Sequence, residues 1–143
     1  MNKEFVTYEQ ALILKELGFD EPCIGFFENN GKNSLLVTDS VNFTNTDLKV
    51  EGVSSPLYQQ AFRWFRETYN MDVDIIRDSE VHYQDETRWI VKVSDWNNIR
   101  VKDFPIAQLK FPNTSHHTDF KSYDKALEKG LEEALKFIQN ERI

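Results

Sequence analysis

The sequence predicts an α+β domain in which an antiparallel sheet of about five strands packs against three helices, at approximately 7–18, 55–69 and 122–139. Two long segments repeat apolar residues with a helical period, and short β-branched or aromatic runs are separated by turn-rich segments. The resulting order of helix, hairpin, helix, strands and helix is typical of an antiparallel sheet covered by helices. With 143 residues, the chain has the common size of one domain, so we expect a single domain over 1–143.

The first helix is predicted from its capping residues. The hydroxyl of Thr7 and the side chain of Gln10 have the spacing of a capping box, and Gly18 suits the position after the last turn. The apolar residues do not keep to one face, because Tyr8 and Leu12 point away from the main stripe. A helix that is apolar on two sides is usually packed between layers or contacts a partner.

The next segments predict a β-hairpin followed by a loop. Two apolar runs, 23–27 and 34–38, flank the turn residues Asn30 and Gly31, which tolerate the positive φ angles of tight hairpins. The polar stretch 39–53 has no convincing period. It is predicted to be a long loop, with at most a short strand or turn around 48–53.

The segment SSPLYQQAFRWFRETYN predicts a core helix. Ser55 is a good N-cap and Pro56 suits the first helical position. At 100° per residue the aromatic rings share one face and the arginines lie on the opposite one. A base-stacking surface needs rings and cations presented together, so this separation favours a core role. Tyr58 and Trp64, at the margins of the apolar face, are the rings that we expect to be most exposed.

The remaining chain predicts strands and a last helix. Short strands are expected at 73–76, 81–84, 88–93, 99–101 and 107–111, with a hairpin turn at 85–86. Ser122 caps a strongly amphipathic helix in which Ala126, Gly130 and Ala134 form a stripe of small residues. Because glycine inside a helix is unfavourable by about 1 kcal/mol relative to alanine, this stripe indicates close approach of the sheet or of a second subunit.

Composition limits the function classes. The net charge of −7 disfavours binding to phosphate backbones. No apolar run is long enough to span a membrane, and the N-terminus does not have the pattern of a signal peptide, so we expect a cytoplasmic protein with no membrane contact. Cys23 is the single cysteine and is expected to be a buried, inert thiol.

Two polar clusters are candidate metal or acid–base sites. His116, His117 and Asp119 could share a metal ion, although a solvated loop is the favoured interpretation. Asp72 and Asp74 lie on the same side of a predicted strand and could bind a cation. If Val73 and Ile75 face the core, however, simple alternation explains the two acids. No nucleophile or phosphate-loop motif is present in the sequence, so an enzyme is disfavoured and no cofactor is predicted.

Three stretches of the sequence are similar to a known group of proteins: YEQALILKELGFDEPC (8–23), SSPLYQQAFRWFRETY (54–69) and FKSYDKALEKGLEEALKFI (120–138). In this order they resemble a family of small, uncharacterised phage- and prophage-borne proteins of Bacteroides-type bacteria. The strong likeness covers about a third of the chain, while 28–53 and 77–118 match nothing that we can assign. The resemblance implies a mobile-element setting in a bacterial host cytoplasm. It implies no activity and no functional residue.

Our leading hypothesis is a non-catalytic accessory protein that binds a macromolecule, either an unidentified protein or a second copy of itself. The binding surface would combine the first helix with the margin of the central helix, and its expected side chains are Tyr8, Leu12, Tyr58, Arg63, Trp64 and Arg66. One alternative is a metal-assisted hydrolase built on either polar cluster. The other is a nucleic-acid-binding protein with a basic patch of Arg63, Arg66, Arg88 and Arg100.

Overall fold

The computed structural model describes residues 2–28, 34–39, 42–49, 52–77, 88–102 and 109–141. Over these residues the chain is α+β, with four α-helices and two antiparallel three-stranded sheets. The predicted class is confirmed, but the prediction of one sheet of about five strands is wrong. The chain forms two compact units, Met1–Ala61 and Phe62–Ile143, and each unit has its own sheet. The single domain over 1–143 stays a prediction.

The first unit contains helix α1 (Tyr8–Glu16), strands β1 (Gly25–Glu28) and β2 (Leu35–Val37), the short helix α2 (Asn45–Leu48) and strand β3 (Gly52–Ser55). The strand order is β2–β1–β3. The capping box of α1 is confirmed, because Thr7 and Gln10 bond to each other's backbone amides at 3.3 Å. Gly18 follows the helix with φ +95°, a conformation that favours glycine. The predicted turn at Asn30 and Gly31 lies outside the described residues.

The polar stretch 39–53 is more ordered than a loop, because α2 and part of β3 lie in it. Thr44 and Asp47 form a capping box at the start of α2. The buried side chain of Asn45 donates to the carbonyl of Phe19 at 2.7 Å and accepts from the amide of Ser54 at 2.9 Å. Side-chain hydrogen bonds between distant residues therefore order the stretch 39–53, which has no apolar periodicity.

The second unit contains most of helix α3 (Tyr58–Tyr69), strands β4 (Met71–Arg77), β5 (Trp89–Lys102) and β6 (Leu109–Phe120), and helix α4 (Tyr123–Glu141). The strand order is β4–β5–β6. The segments predicted at 88–93 and 99–101 belong to one long strand. The division between the units falls within α3. The predicted strand 81–84 and the turn at 85–86 lie outside the described residues.

Helix α4 packs on this second sheet through its small residues. Ala126 and Ala134 are fully buried. A Cβ on Gly130 would lie 2.8 Å from Cγ1 of Val73, closer than real side chains come, and 3.3 Å from Cδ1 of Ile75, a tight contact. The small-residue stripe therefore serves close packing against the sheet, the first of its two predicted uses.

Candidate functional site

The rings of α3 face inward. Tyr58 is 4% exposed and Trp64 is 8% exposed, so the prediction that these two rings form an exposed margin is wrong. The hydroxyl of Tyr58 donates to Oε1 of Gln10 at 3.2 Å, and Trp64 packs edge-on against Phe65 with ring centroids 5.3 Å apart. Arg63 and Arg66 are exposed, which confirms the predicted separation of rings and guanidinium groups.

The α1 residues of the predicted surface are only half-buried. Leu12 and Tyr8 both keep part of their side chains exposed. The ring of Tyr8 meets that of Phe27 edge-on with centroids 5.4 Å apart. Tyr8, Glu9 and Phe27 help to line a cavity of about 500 Å³, a volume within the usual range of small-molecule sites.

The histidine pair lies on a strand instead of in a loop, which corrects the sequence prediction. His116 and His117 are consecutive residues of β6 and pair with Lys92 and Val91 of β5. Because consecutive side chains of a strand point to opposite faces, the two imidazoles cannot converge on one metal ion. Asp119 is also on β6, but the structure does not describe its side chain.

His117 instead contacts α4 and its own strand. Its Nε2 lies 3.3 Å from Oε2 of Glu133 and 2.9 Å from Oγ of Ser115. Both partners share one ring nitrogen, whereas a catalytic triad needs the acid on the other nitrogen, so these three residues do not form one. Partial burial raises the pKa of Glu133, but Lys129, Lys136 and His117 outweigh this effect and the pKa is lowered. The cluster is a polar contact between strand β6 and helix α4.

The Asp72/Asp74 pair does not form a cation site. Val73 is buried and Asp74 is exposed, as alternation predicted. Asp72 lies on the same face as Asp74, but both of its carboxylate oxygens already have partners. Oδ1 accepts from Nε of Arg66 at 2.9 Å, and Oδ2 accepts from Nε1 of Trp96 at 2.7 Å. Asp72 therefore organises protein donors and leaves no oxygen pair for a metal.

The carboxylate of Asp72 lies between Arg66 and Trp96. We call these three residues the Arg66–Asp72–Trp96 cluster, which was not predicted from the sequence. The pairing of β5 with β6 shifts register between Asp95 and Ile99, and such irregularities change the direction of side chains. Trp96 lies within this irregularity and is 40% exposed. Its backbone amide donates to the carbonyl of Asn70 at 3.1 Å. The chain thus presents an exposed indole beside an α3 arginine.

The register of the second sheet separates two arginines of the predicted basic patch, Arg66 and Arg88. Asp72, the partner of Arg66, pairs with Ser94, whereas Trp89 pairs with Arg77 at the other end of the β4–β5 ladder. Arg88 immediately precedes Trp89, so its backbone lies roughly 20 Å along β5 from Ser94, the residue opposite the Asp72 partner of Arg66, at the usual rise per residue. Arg100 is in β5, and its side chain is outside the described residues. Arg66 and Arg88 therefore do not share one patch, contrary to the sequence prediction.

The first unit exposes an apolar sheet edge at β2. Leu36 is 39% exposed and Val37 is 43% exposed, and Ile24 beside them is also exposed. Leu36 pairs with Phe26, and Val37 pairs with Gly25. The amide of Thr38 donates to the carbonyl of Ile24 at 2.8 Å, so these two residues form a hydrogen-bonded pair of the ladder. Hydrogen-bonded and non-hydrogen-bonded pairs alternate along an antiparallel ladder, which makes Leu36 the next residue of β2 that bonds to β1. The N–H and C=O groups of Leu35 and Val37 therefore point away from β1.

Cys23 is buried, as predicted. Burial raises the pKa of its thiol to about 12, so the reactive thiolate is scarce at neutral pH. Its sulfur donates weakly to the carbonyl of Glu21 at 3.4 Å. These observations agree with an inert structural thiol.

Two kinds of feature are absent from the described residues. No helix among them has the length and apolar character needed to cross a membrane. Among the same residues, no group of three His, Cys, Asp or Glu side chains could hold a metal ion.

No family model, curated protein or solved structure matches the chain. The resemblance to a phage-borne family therefore stays a prediction. Two surfaces of the described residues are the candidate sites, the β2 edge and the Arg66–Asp72–Trp96 cluster.

Proposed function

We propose that the protein is a non-catalytic protein-binding module that adds a strand of its partner to the β2 edge. The setting that we propose, following the resemblance, is the cytoplasm of a bacterium that carries the phage or prophage. The observation that supports this function is the exposure of Leu36 and Val37 on the outer strand of the first sheet. An exposed edge strand is a template for another extended chain.

The chemistry of the edge indicates the kind of partner. Residues 34–38 carry no charged side chain, whereas natural edge strands are commonly protected by charges or proline. The outward N–H and C=O groups of Leu35 and Val37 would bond to the partner's backbone. Leu36 and Ile24 project to one face of the sheet, where Phe26 packs at 5.1 Å from the ring of Phe43. The partner is therefore an extended segment with apolar residues at alternate positions.

One substitution removes an outward donor and leaves the internal ladder intact. Val37→Pro deletes an N–H that points away from β1, and proline is tolerated at such edge positions. We expect this variant to keep the thermal stability of the parent to within about 1 kcal/mol and to lose partner binding. The measurement is affinity capture from lysogenic host lysate with the tagged full chain, followed by titration of the captured protein.

Val37→Thr is the matched control, because it keeps the β-branched shape and the N–H. It should bind as well as the parent, to within about threefold. Ile76→Thr changes an exposed apolar residue in the second unit and should have no effect. Equal binding by Val37→Pro and Val37→Thr would show that strand addition at β2 is the wrong mechanism. If the captured protein is the chain itself, sedimentation should show a dimer that Val37→Pro dissociates.

A further inference from the structure

One carboxylate holds an exposed guanidinium and an exposed indole as neighbours in the second unit. Asp72 accepts from Nε of Arg66 through one oxygen and from Nε1 of Trp96 through the other. Both donors are fixed by hydrogen bonds, and the backbone of Trp96 is also bonded to Asn70. The two side chains are therefore positioned before any ligand arrives, which reduces the entropic cost of binding.

Each of the two side chains keeps a surface for a ligand. Over the described part of the chain, Arg66 uses only Nε, so Nη1 and Nη2 keep their donors, and 59% of the side chain is exposed. The indole N–H of Trp96 is occupied by Asp72, so a ligand meets the ring and not a donor. The pair thus offers one aromatic surface and one two-donor fork.

We propose that Arg66 and Trp96 form a nucleotide-binding site, in which the base stacks on the indole and the phosphate accepts from Nη1 and Nη2 of Arg66. Bases of any identity stack on exposed aromatic rings. The planar guanidinium matches two phosphate oxygens. This site does not depend on the β2 edge and goes beyond the proposed function.

The overall charge distinguishes two sources of the nucleotide. A net charge of −7 repels a long polyanion more than it repels a single phosphate. The site also contains Asp72, which offsets part of the charge of Arg66. A free nucleotide, or one at the end of a single strand, therefore suits this surface better than a duplex does. A duplex in addition keeps its bases paired and away from the indole.

The test uses the indole N–H signals of the three tryptophans in nuclear magnetic resonance spectra of the full chain. Adenosine monophosphate is titrated to millimolar concentration. We expect the Trp96 signal to shift and saturate, while the signals of Trp64 and Trp89 stay in place. Trp96→Ala should weaken binding about tenfold or more, as measured on the backbone signals around Asn97. Trp96→Phe keeps a ring and should weaken it less.

Arginine variants test the phosphate contact. Arg66→Gln should weaken binding about tenfold, and Arg66→Lys should not restore it, because lysine has no planar fork. Arg77→Gln and Tyr123→Ala change an exposed arginine and an exposed aromatic residue elsewhere in the same unit, and they should bind as the parent does. Thermal melting checks that every variant is folded.

A second titration with oligothymidylate identifies the source. Tighter binding of the oligonucleotide than of the monophosphate, weakening as salt is raised, would assign the site to single strands. Binding of the monophosphate alone would assign it to free nucleotides. The proposal is overturned if neither probe shifts the Trp96 signal, or if Arg66→Gln and Trp96→Ala bind as well as the parent.

Discussion

Asn45 shows how a single polar side chain organises the first unit. It is buried, and it joins the carbonyl of Phe19 to the amide of Ser54. Near it, Asp20 accepts from the amide and the hydroxyl of Thr46 at 2.7 and 2.6 Å. The hydrogen bonds from Thr46 lower the pKa of the Asp20 carboxyl. Together these bonds attach α2 both to β3 and to the segment after α1.

We expect Asn45→Ala to destabilise the first unit by about 2 to 3 kcal/mol. The change leaves a buried N–H and a buried C=O without their partner, and each such group is unfavourable by about 1–3 kcal/mol. The free energy of unfolding in urea, followed by circular dichroism, measures the effect. Asn42→Ala, at an exposed position of the same stretch, is the control and should change stability by less than about 0.5 kcal/mol. Equal effects of the two changes would contradict this role of Asn45.

The sequence predicted only one of the two ligand-binding side chains of the Arg66–Asp72–Trp96 cluster. Arg66 was identified from its place on the polar face of α3, but its partner Trp96 was missed, because a lone tryptophan after an aspartate has no periodic signal. The assignment of Trp96 depends on the register shift of β5, which is set by pairing with a distant strand. The polar neighbours of His116 and His117 predict a loop, whereas pairing with the distant strand β5 makes this segment a strand.

At the scale of elements, the long helices were predictable and the strands were less so. Helices α3 and α4 each repeat an apolar face over three or more turns, and local periodicity decides such segments. In α4 the hydrophobic face also contains Gly130, which the sequence marked as a point of close approach. The structure identifies the neighbours as Val73 and Ile75. The sequence of α4 alone does not indicate whether the sheet or a second subunit covers the small-residue stripe.

We expect Gly130→Ala to destabilise the second unit by about 1 kcal/mol, in spite of the better helix propensity of alanine. Propensity favours the change by about 1 kcal/mol, but forcing a methyl group into a packed core is unfavourable by about 1–3 kcal/mol. Val73 is β-branched and cannot easily turn its Cγ1 away. Urea unfolding followed by tryptophan fluorescence measures the effect, since all three tryptophans lie in this unit.

A double substitution checks the physical reason. Val73→Ala removes the methyl group that a Cβ on Gly130 would meet at 2.8 Å. If the clash is the cause, Gly130→Ala in the Val73→Ala background should be neutral or stabilising, with a coupling of about 1 kcal/mol or more. Additive effects of the two changes would contradict the clash.

At the scale of the whole molecule, the sequence predicted the fold class and not the division of the strands between sheets. Each strand was inferred from its own short run of residues, whereas the pairing of β1 with β3 joins Phe26 to Ser54 across the intervening polar stretch. Such long-range pairing leaves no local pattern. Strand β3 was also weakly marked, since GVSS contains one β-branched residue. The two sheets therefore could not be separated by reading along the chain.

The single domain over 1–143 can be tested by asking whether the two units unfold together. We expect one transition, because α3 is one uninterrupted helix with its first four residues in the first unit and the other eight in the second. Loss of either unit would deprive that helix of part of its support. Tryptophan fluorescence reports on the second unit, and reaction of the buried Cys23 with a thiol reagent reports on the first. Both probes are followed over the same urea series. Coincident midpoints are expected for one cooperative domain, and a Cys23 midpoint clearly below the fluorescence midpoint would show that the units are separate domains.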